Sequence, residues 1–246
     1  MSKLEVRNVS FSYDNKIRVI DNINITLNKG EIVCLLGVSG GGKTTLFNVI
    51  SGLNAPQTGE VLLDGENITG QPGRISYMLQ KDLLLPYRTV EDNVALPLII
   101  KGMKKSEARQ RVSPHFEEFG LEGTQKKYPD ELSGGMKQRA ALLRTYMFSN
   151  DVALLDEPFS ALDTITKAEI HRWYLDVMEK IKLSTLFITH DMDEAILLSD
   201  RIYLLGGKPG KIIDEIIIDE PKPRRSDFNL TEKFLGYKKQ LLSKLK

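Results

Sequence analysis

The pattern of apolar and polar residues divides the first fifty residues into strands, a glycine-rich loop and a helix. Apolar and polar positions alternate in residues 6–11 and 20–27, which predicts antiparallel strands with one face buried. Residues 32–36 are all apolar, as expected of a strand buried on both faces, and residues 44–50 follow with a helical pattern. The opening of the chain is therefore predicted to be rich in β-structure.

The rest of the chain changes between strand and helix patterns. A hairpin-like stretch at 59–66 and a strand at 75–80 are expected to extend the first sheet. From residue 89 to residue 142 apolar residues recur at spacings of three and four, which predicts an inserted helical subdomain. Residues 151–155 and 184–189 are apolar, partly β-branched and separated by a helix, so we expect parallel strands that return to the first sheet. The pattern indicates an α/β fold with a mixed sheet, an antiparallel β subdomain and this helical insertion.

Between the apolar strand and the first helix lies a loop with the chemistry of phosphate binding. Gly37, Gly42, Lys43 and Thr44 fit the pattern G-x-x-x-x-G-K-S/T. The glycines allow consecutive backbone N–H groups to point at phosphate oxygens, and the helix that follows directs its N-terminus at the anion. Strand, loop and helix in this order predict a nucleotide-binding core of the P-loop NTPase type.

Two carboxylates follow the predicted strand at 151–155. Asp156 ends that strand, Glu157 comes next, and Pro158 prevents the strand from continuing. A carboxylate at this end of a strand, beside a phosphate loop, is placed to hold Mg²⁺ mostly through water, with Thr44 supplying a hydroxyl. The side chain of Glu157 faces the other way, toward the place from which water would attack the terminal phosphate. The alternative for such a sequence is a solvated acidic turn.

A second glycine-rich segment, residues 132–139, precedes another helical stretch. Ser133 before two glycines could be an ordinary N-cap, and Met136 at the third helical position excludes a reciprocal capping box. The segment also resembles the signature motif of ATP-binding-cassette (ABC) ATPases, and the resemblance extends over nearly the whole chain. The departures are small. Gly41 occupies a position that is often another small residue, and Thr45 extends the ending of the phosphate loop.

The resemblance implies that the nucleotide site is shared between two copies of the chain. In this family the signature motif closes over the γ-phosphate held on a partner's phosphate loop, so Ser133, Gly134 and Gly135 would complete the partner's site in a head-to-tail dimer. The helix that begins near Met136 would direct its positive dipole end at the triphosphate. ATP and Mg²⁺ are the ligands that the resemblance implies.

The resemblance also implies roles for single residues. Glu157 polarises the attacking water, His190 senses the γ-phosphate, and Gln80 contacts Mg²⁺ and the attacking water. Tyr13 stacks on adenine, and Asp163 lies in a loop that crosses the dimer interface. The residues expected to contact ATP are Tyr13, Gly37, Ser39, Gly40, Gly42, Lys43, Thr44, Thr45, Ser133, Gly134, Gly135 and Asp163. The metal is assigned to Thr44, Gln80 and Asp156, and catalysis to Lys43, Gln80, Glu157 and His190.

Several of these assignments have a plainer alternative. A lone histidine such as His190 is usually structural, Gln80 is a polar strand end, and Tyr13 is a half-buried strand aromatic. His115 and His171 fall in predicted helices, where a surface or packing role is expected.

Composition narrows the class of protein. The chain has 246 residues, a formal net charge of +1, 41% apolar residues and 27% charged residues, which suits one globular unit. We divide it into a nucleotide-binding core at 1–88 and 143–220, the helical subdomain at 89–142 and a tail at 221–246. The longest apolar stretch outside the strands, 94–100, is shorter than the roughly 20 residues that cross a bilayer. The near-neutral charge argues against nucleic acid as a partner.

Further segments bear on what ATP hydrolysis drives. Residues 81–94 are similar to the segment where these ATPases receive a coupling helix from a membrane permease; the alternative is that their leucines fill the seam between two subdomains. Residues 157–163 and 221–225 resemble cassettes of bacterial importers for nitrate, sulfonates, taurine and thiamine precursors. Residues 232–246 contain five lysines and predict either a basic amphipathic helix near the membrane or a solvated terminal helix.

The resemblance implies the ATPase of an importer at the cytoplasmic face of the membrane. Its partners would be a second copy, separate permease subunits and, indirectly, a solute-binding protein, and its cargo a small anionic or heterocyclic solute. Residues 1–7 lack the apolar core of a signal peptide, and Cys34 lies in a central strand, so a reducing compartment is expected. The alternatives are the ATPase of an exporter or lipoprotein-extraction system, and a soluble ATPase that acts on the ribosome or on DNA ends.

Overall fold

The strands of the protein form one antiparallel sheet and one mostly parallel sheet. The computed structural model describes residues 2–14, 17–149, 151–160, 162–222, 224–225 and 227–245; Ala161, Pro223 and Lys246, which belong to segments discussed above, lie outside the described residues. The strands are β1 Ser2–Tyr13, β2 Ile17–Asn28, β3 Ile32–Gly37, β4 Thr58–Leu63, β5 Glu66–Asn67, β6 Ser76–Met78, β7 Val152–Asp156, β8 Ser184–Thr189, β9 Arg201–Gly206 and β10 Lys211–Ile217. The helices are α1 Lys43–Ile50, α2 Val90–Ile100, α3 Lys105–Val112, α4 His115–Glu118, α5 Gly134–Phe148, α6 Thr164–Ile181, α7 Met192–Leu198 and α8 Glu232–Lys244.

The antiparallel sheet has the strand order β2-β1-β4-β5. Along β2 the predicted alternation is confirmed, since Ile23 and Ile25 are buried and Asn24 between them is exposed. In β1 the alternation is interrupted because the register shifts after Val6, where Asn8 adopts a positive φ of 51°.

The second sheet has the order β10-β9-β3-β8-β7-β6, with all neighbours parallel except β9 and β10. This confirms the mixed sheet. The expectation that the stretches at 59–66 and 75–80 both extend the first sheet is wrong, because β4 pairs with β1 whereas β6 pairs with β7. The strands β7 and β8 likewise join β3 in the second sheet.

Both faces of the second sheet are covered by apolar side chains. Every residue of β3 is buried, as its continuous apolar sequence predicts. Cys34 and Leu36 belong to the core shared with most of the helices, whereas Val33 and Leu35 belong to the core shared with the antiparallel sheet and α1. The period of two along this strand therefore places β3 between two cores, and its last residue leads directly into the phosphate loop.

The predicted helical insertion is present as helices α2 to α5. Thr89 caps α2 by accepting a hydrogen bond from the backbone N–H of Asp92, and α5 runs without interruption to Phe148. The boundary proposed between residues 142 and 143 therefore falls inside α5. This helix packs against β6 and α6 of the core as well as against α2 of the insertion. The division of the chain into subdomains stays a prediction.

The C-terminal helix α8 packs on the protein through Phe234 and Leu241, which are both buried. Three of its lysines form ion pairs with acidic residues of the same chain, and these are Lys233 with Glu220, Lys238 with Asp193 and Lys244 with Asp214. These pairs favour the solvated terminal helix over the membrane-facing one, because lysines that bind lipid need their charge directed outward. Over the described residues, every helix is too short or too polar to cross a membrane.

Candidate functional site

The phosphate loop is packed closely against neighbouring backbone. A Cβ at Gly37 would lie 2.5 Å from the carbonyl oxygen of Leu205 on β9. Gly42 precedes α1 with a φ of 96°, which residues with a side chain rarely adopt. Ser39 and Gly40 are exposed at the mouth of the loop. The start of the loop at Gly37 is thus closely packed, whereas Ser39 and Gly40 are accessible to a ligand that enters from solvent.

Lys43 lies in the first turn of α1 and is only 6% exposed. Its Nζ donates hydrogen bonds to the carbonyl oxygens of Gly37 at 2.8 Å and Val38 at 3.0 Å. Burial lowers the pKa of the ammonium group, and the negative charges of Glu157 and Asp156 act in the opposite direction. An ammonium group beside a glycine-rich loop and a helix N-terminus fits the negative charge of a triphosphate.

Asp156 is the buried last residue of β7, and its carboxylate faces the start of α1. Its Oδ2 accepts a hydrogen bond from Thr44 Oγ1 at 3.0 Å and a longer one from the hydroxyl of Tyr77 at 3.4 Å. Burial raises the pKa of the carboxyl group, and the charge of Glu157 raises it further. A hydroxyl and a carboxylate at this distance are oxygen donors of the kind that Mg²⁺ takes beside phosphate groups, so these residues fit the predicted metal.

Three residues predicted to be catalytic meet at one carboxylate oxygen. Gln80 Nε2 donates to Glu157 Oε2 at 3.1 Å, and His190 Nδ1 lies 3.2 Å from the same oxygen. These side chains follow β6, β7 and β8, which are neighbours in the parallel sheet. The carboxyl ends of parallel strands meet at one edge of a sheet, where α/β proteins bind their ligands. The structure therefore brings Gln80, Glu157 and His190 together at the edge where β3 enters the phosphate loop.

The backbone turns sharply at Glu157, which has a φ of 45°. Its N–H donates to the carbonyl oxygen of Ile188 at 3.0 Å, and its own carbonyl accepts from Ser160 Oγ at 3.0 Å. A non-glycine residue in this region costs about 1–3 kcal/mol, and backbone strain of this kind is often stored at functional sites. The sequence analysis did not predict this conformation, because a proline after a residue favours an extended backbone with a negative φ.

Tyr13 ends β1 and is 48% exposed, with its ring edge-to-face against Phe11 at 4.9 Å between centroids. It pairs with Ile17, the first residue of β2, and Ile20 of that strand lies against Gly42. The hairpin that carries Tyr13 therefore contacts the phosphate loop. Its exposed ring is available for stacking, and the contact with adenine stays a prediction.

The signature segment begins helix α5. Ser133 is the N-cap, and its Oγ accepts a hydrogen bond from the backbone N–H of Met136 at 3.3 Å, which confirms the local capping interpretation. Ser133 and Gly134 are exposed, whereas Gly135 is buried so closely that a Cβ there would lie 3.3 Å from Thr166 of α6. The N-terminus of a 15-residue helix is thus presented to solvent.

The predicted interface loop lies beside the signature segment. Asp163 is exposed and caps the start of α6, where its Oδ1 accepts from Thr166 N at 3.1 Å. Leu162 lies against Gly134. Both segments therefore open on one surface of the protein. The contacts that Ser133, Gly134, Gly135 and Asp163 are expected to make with a partner's nucleotide stay predictions.

Two residues near the site were missed by the sequence analysis. Tyr77 donates to Asp156, as described above, and its burial raises the pKa of the hydroxyl. Gly210 follows β9, and its backbone N–H donates to the carbonyl oxygen of Val19 at 2.8 Å. A Cβ at Gly210 would overlap the carbonyl oxygen of Gly41 in the phosphate loop. The sequence marks Gly210 only as part of a Pro-Gly turn, since its contact with Gly41 depends on the fold.

Comparison with known proteins agrees with this geometry. The ABC transporter family model matches residues 20–160. The formylaminopyrimidine import ATP-binding protein ThiZ of Halalkalibacterium halodurans is 43% identical over 230 residues, which are 94% of this chain and 89% of the relative. The aliphatic sulfonates import ATP-binding protein SsuB of Bacillus cereus is 40% identical over 226 residues, which are 92% of this chain and 88% of the relative.

A bacterial ABC transporter cassette solved as a dimer has the same fold. It superposes with a TM-score of 0.74 at 30% identity and covers 89% of this chain and 100% of its own. The family resemblance read from the phosphate loop and the signature segment is confirmed. The chain belongs to the ABC transporter family and is an ATP-binding ATPase of that family.

Proposed function

We propose that the protein is the ATP-hydrolysing subunit of an importer, in which two copies close around two ATP molecules and drive a separate membrane permease. The observation that carries ATP hydrolysis in this proposal is the convergence of Gln80, Glu157 and His190 beside Lys43 and the pair formed by Thr44 and Asp156. Import is supported by the relatives described below.

Lys43 and the amides of the phosphate loop bind the triphosphate in this proposal, and Thr44, Asp156 and Gln80 hold Mg²⁺. The metal, when bound, neutralises negative charge on the phosphate oxygens. The hydrogen bond from Thr44 to Asp156 already holds the two predicted ligands at 3.0 Å from one another. Positioning and charge stabilisation are the main requirements of phosphoryl transfer, and these residues supply both.

Glu157 polarises the attacking water, and its neighbours keep its carboxylate in place. Gln80 and His190 both contact Oε2, which leaves Oε1 as the oxygen for water. His190 is 58% exposed, so its ring is open to a phosphate group that binds at the same edge of the sheet. Proton acceptors of this kind contribute about 10²–10⁴-fold to a rate.

The second half of each site comes from the other copy. The exposed N-terminus of α5 offers Ser133, backbone N–H groups and the positive end of a helix dipole to the γ-phosphate on the partner's loop. Loss of the γ-phosphate on hydrolysis removes the group that both copies bind, so the dimer opens. The similarity to a cassette solved as a dimer supports this arrangement.

The permease is proposed to dock at a groove between the second sheet and helices α2 and α5. A cavity of about 450 Å³ there is lined by Tyr77, Leu83, Leu96, Ile100 and Phe148, among others. Such a groove fits the apolar face of a short helix.

The leucines of segment 81–94 suit both roles considered above, which are filling the seam between the subdomains and contacting a permease helix. Leu84 is buried and fills the seam, whereas Leu83 and Tyr87 are 50% and 73% exposed. Arg144 of α5 donates to the carbonyl oxygens of Leu83 and Asp82, which holds the segment in place beside the groove. A permease helix in this groove would touch the core and the helical insertion together.

The relatives favour import over export. ThiZ and SsuB are named for the import of a formylaminopyrimidine and of aliphatic sulfonates, and each is similar to this protein over most of its length. We therefore propose a small heterocyclic or anionic solute as the cargo, a solute-binding protein as an indirect partner, and a location at the cytoplasmic face of the membrane through the permease.

The test is to tag the protein at native abundance, solubilise membranes gently and identify what copurifies in stoichiometric amount. A permease and a solute-binding protein are expected with the parent. A Leu83→Asp variant should lose the permease and keep ATP binding, whereas Leu230→Asp, at a leucine that is 80% exposed outside the groove, should keep both. Recovery of the protein with an exporter-type partner, or only from the soluble fraction, would overturn the proposal that it serves an importer.

A further inference from the structure

Next to His190 lies a partly buried charged cluster, and none of the roles proposed above uses it. Lys167 of α6 contacts Asp191 Oδ2 at 3.1 Å and also Glu194 Oε1. Glu194 of α7 is only 3% exposed, and its other oxygen accepts a hydrogen bond from Thr189 Oγ1 at 2.5 Å. One ion-pair network thus joins the end of β8, the start of α7 and the first turns of α6.

This cluster binds the residues on both sides of His190. Thr189 precedes the histidine and donates to Glu194, and Asp191 follows it and pairs with Lys167. The backbone N–H of Asp191 also donates to Thr189 Oγ1 at 3.0 Å, so the two neighbours are tied to one another. Asp191 in turn caps α7 by accepting from Asp193 N at 2.9 Å. The ring of His190 is therefore exposed, while the contacts of Thr189 and Asp191 hold the backbone that carries it.

The other end of the cluster reaches the signature segment. The backbone N–H of Lys167 donates to the carbonyl oxygen of Asp163 at 2.8 Å. Its neighbour Thr166 lies against Gly135, where a Cβ would be 3.3 Å away. The first turn of α6 is therefore packed between the start of α5 and the loop that carries His190.

The electrostatics of the cluster indicate that both partners are charged. Burial acts to raise the pKa of the Glu194 carboxyl, but nearby His171, Lys167 and Thr189 hold that pKa below its usual value. Burial acts to lower the pKa of Lys167, and its contacts with Glu194 and Asp191 raise that pKa. A buried ion pair adds little net stability compared with apolar residues of similar size. The Lys167–Glu194 pair is therefore expected to contribute through the position that it gives to neighbouring residues.

We infer that Lys167 and Glu194 are positioning residues for ATP hydrolysis, which hold His190 in place and link it to the start of the signature helix. The inference rests on the role proposed for His190. In the dimer, α6 would then connect the surface that meets the partner's nucleotide with the histidine that faces the protomer's own nucleotide.

The test measures kcat, the Kd for ATP and thermal stability of Lys167→Met, with Lys3→Met as the matched control. Lys3 is also a mostly buried lysine that bridges two carboxylates, Asp64 and Asp151, but it lies on β1. Displacement of His190 in Lys167→Met is expected to lower kcat about 10- to 100-fold while the Kd stays within about two-fold, because misplaced groups lose rate more than binding. Lys167→Arg should restore most of the rate, and Lys3→Met should keep the parental kcat.

A double variant separates positioning from general damage. If Lys167 acts through His190, Lys167→Met should lower kcat far less in a His190→Ala background than in the parent. Thr189→Val keeps the shape and the strand propensity of the residue and removes the hydrogen bond to Glu194, so it should lower kcat in the same direction even if Lys167→Met does not fold.

The outcomes distinguish this inference from the role proposed for His190. Parental kcat in His190→Ala would remove that role and the inference together. A reduced kcat in His190→Ala with parental kcat in Lys167→Met and Thr189→Val would overturn the inference alone. Equal losses from Lys167→Met in the parent and in His190→Ala, or a Kd that rises in proportion to the fall in kcat, would also overturn it.

Discussion

The two glycine-rich segments of the protein differ in what surrounds them. The base of the phosphate loop is enclosed, with Gly37 against Leu205 and Lys43 buried among backbone carbonyls, while Ser39 and Gly40 are exposed. The signature segment is open, since Ser133 and Gly134 are exposed at the N-terminus of α5. The first segment is surrounded by its catalytic neighbours within one chain. The second offers hydrogen-bond donors and a helix dipole at an open surface, as expected of a half-site that a second copy completes.

This difference separates two kinds of contribution to catalysis. In the proposed mechanism, residues around the phosphate loop hold the nucleotide and the attacking water, so changes there would act on chemistry or on binding within one protomer. Residues around the signature segment would act on closure of the dimer. Variants on the two sides are therefore expected to fail in different assays.

Glu157→Gln gives the largest expected effect on the enclosed side. The amide keeps the size of the side chain and cannot accept a proton, so kcat should fall by about 10²–10⁴-fold while ATP still binds. The ATP-bound dimer should accumulate, as seen by sedimentation with ATP. Glu179→Gln, at an exposed position on α6, is the control. Turnover equal to that of the parent would remove Glu157 from the role proposed for it.

Gly210→Ala tests whether the enclosure of the phosphate loop matters for binding. The added Cβ would overlap the carbonyl oxygen of Gly41, and overpacking of this kind costs about 1–3 kcal/mol. If the loop takes up that strain, the affinity for ATP should fall roughly 5- to 150-fold. The measurement is equilibrium binding of ATP.

Gly236→Ala is the control for this variant, because a Cβ at Gly236 in α8 meets nothing within 4 Å among the described residues. An unchanged affinity in Gly210→Ala, with or without a lower melting temperature, would show that the turn at Gly210 does not set the shape of the loop.

Acid is expected to change the stability contributed by Asp92 in the helical insertion and by Asp156 beside the phosphate loop with opposite sign. Arg109 holds the pKa of Asp92 in α2 at about 2, through hydrogen bonds of 2.8 and 3.0 Å. Because this pKa lies below the unfolded value of about 3.9, the stability that the ionised Asp92 contributes is present above pH ~4 and is lost as the pH falls through about 2. Burial raises the pKa of Asp156 instead, so protonation on acidification relieves a cost there.

The expected readout is the fluorescence of Trp173, the only tryptophan in the sequence, which lies on α6 against Phe119 and Arg139 of the helical insertion. The stability difference between the parent and Arg109→Met should be largest at pH 7 and should shrink as the pH falls from ~4 through ~2, because Asp92 becomes protonated in both proteins as the pH falls. A difference that stays constant across this range would contradict the role of the Asp92 charge.

What the sequence predicts well is local. The phosphate loop follows from a buried strand, four matching residues and a helix in direct succession, and Asp156 and Glu157 follow from their place after a strand. The roles of Gln80 and His190 were implied only by resemblance. Their convergence on one oxygen of Glu157 was not predicted, because it depends on β6, β7 and β8 lying side by side.

Contacts between distant parts of the chain were not predicted. Gly210 lies against Gly41, and Lys167 reaches Glu194, but neither pair leaves a periodic or motif signal in the sequence. The assignment of β4 and β6 to one sheet was wrong for the same reason, since residues of either strand can pair in more than one register and partner choice is set by the fold.

The most direct test of the shared site is to mix two inactive variants. Lys43→Ala disables the phosphate loop and Ser133→Arg blocks the signature surface, so each alone should hydrolyse ATP poorly. In a head-to-tail dimer of the two, one site combines an intact loop with an intact signature segment. We predict that the mixture hydrolyses ATP faster than either variant at the same total concentration. Activity no higher than the average of the two would contradict a site completed by a second copy.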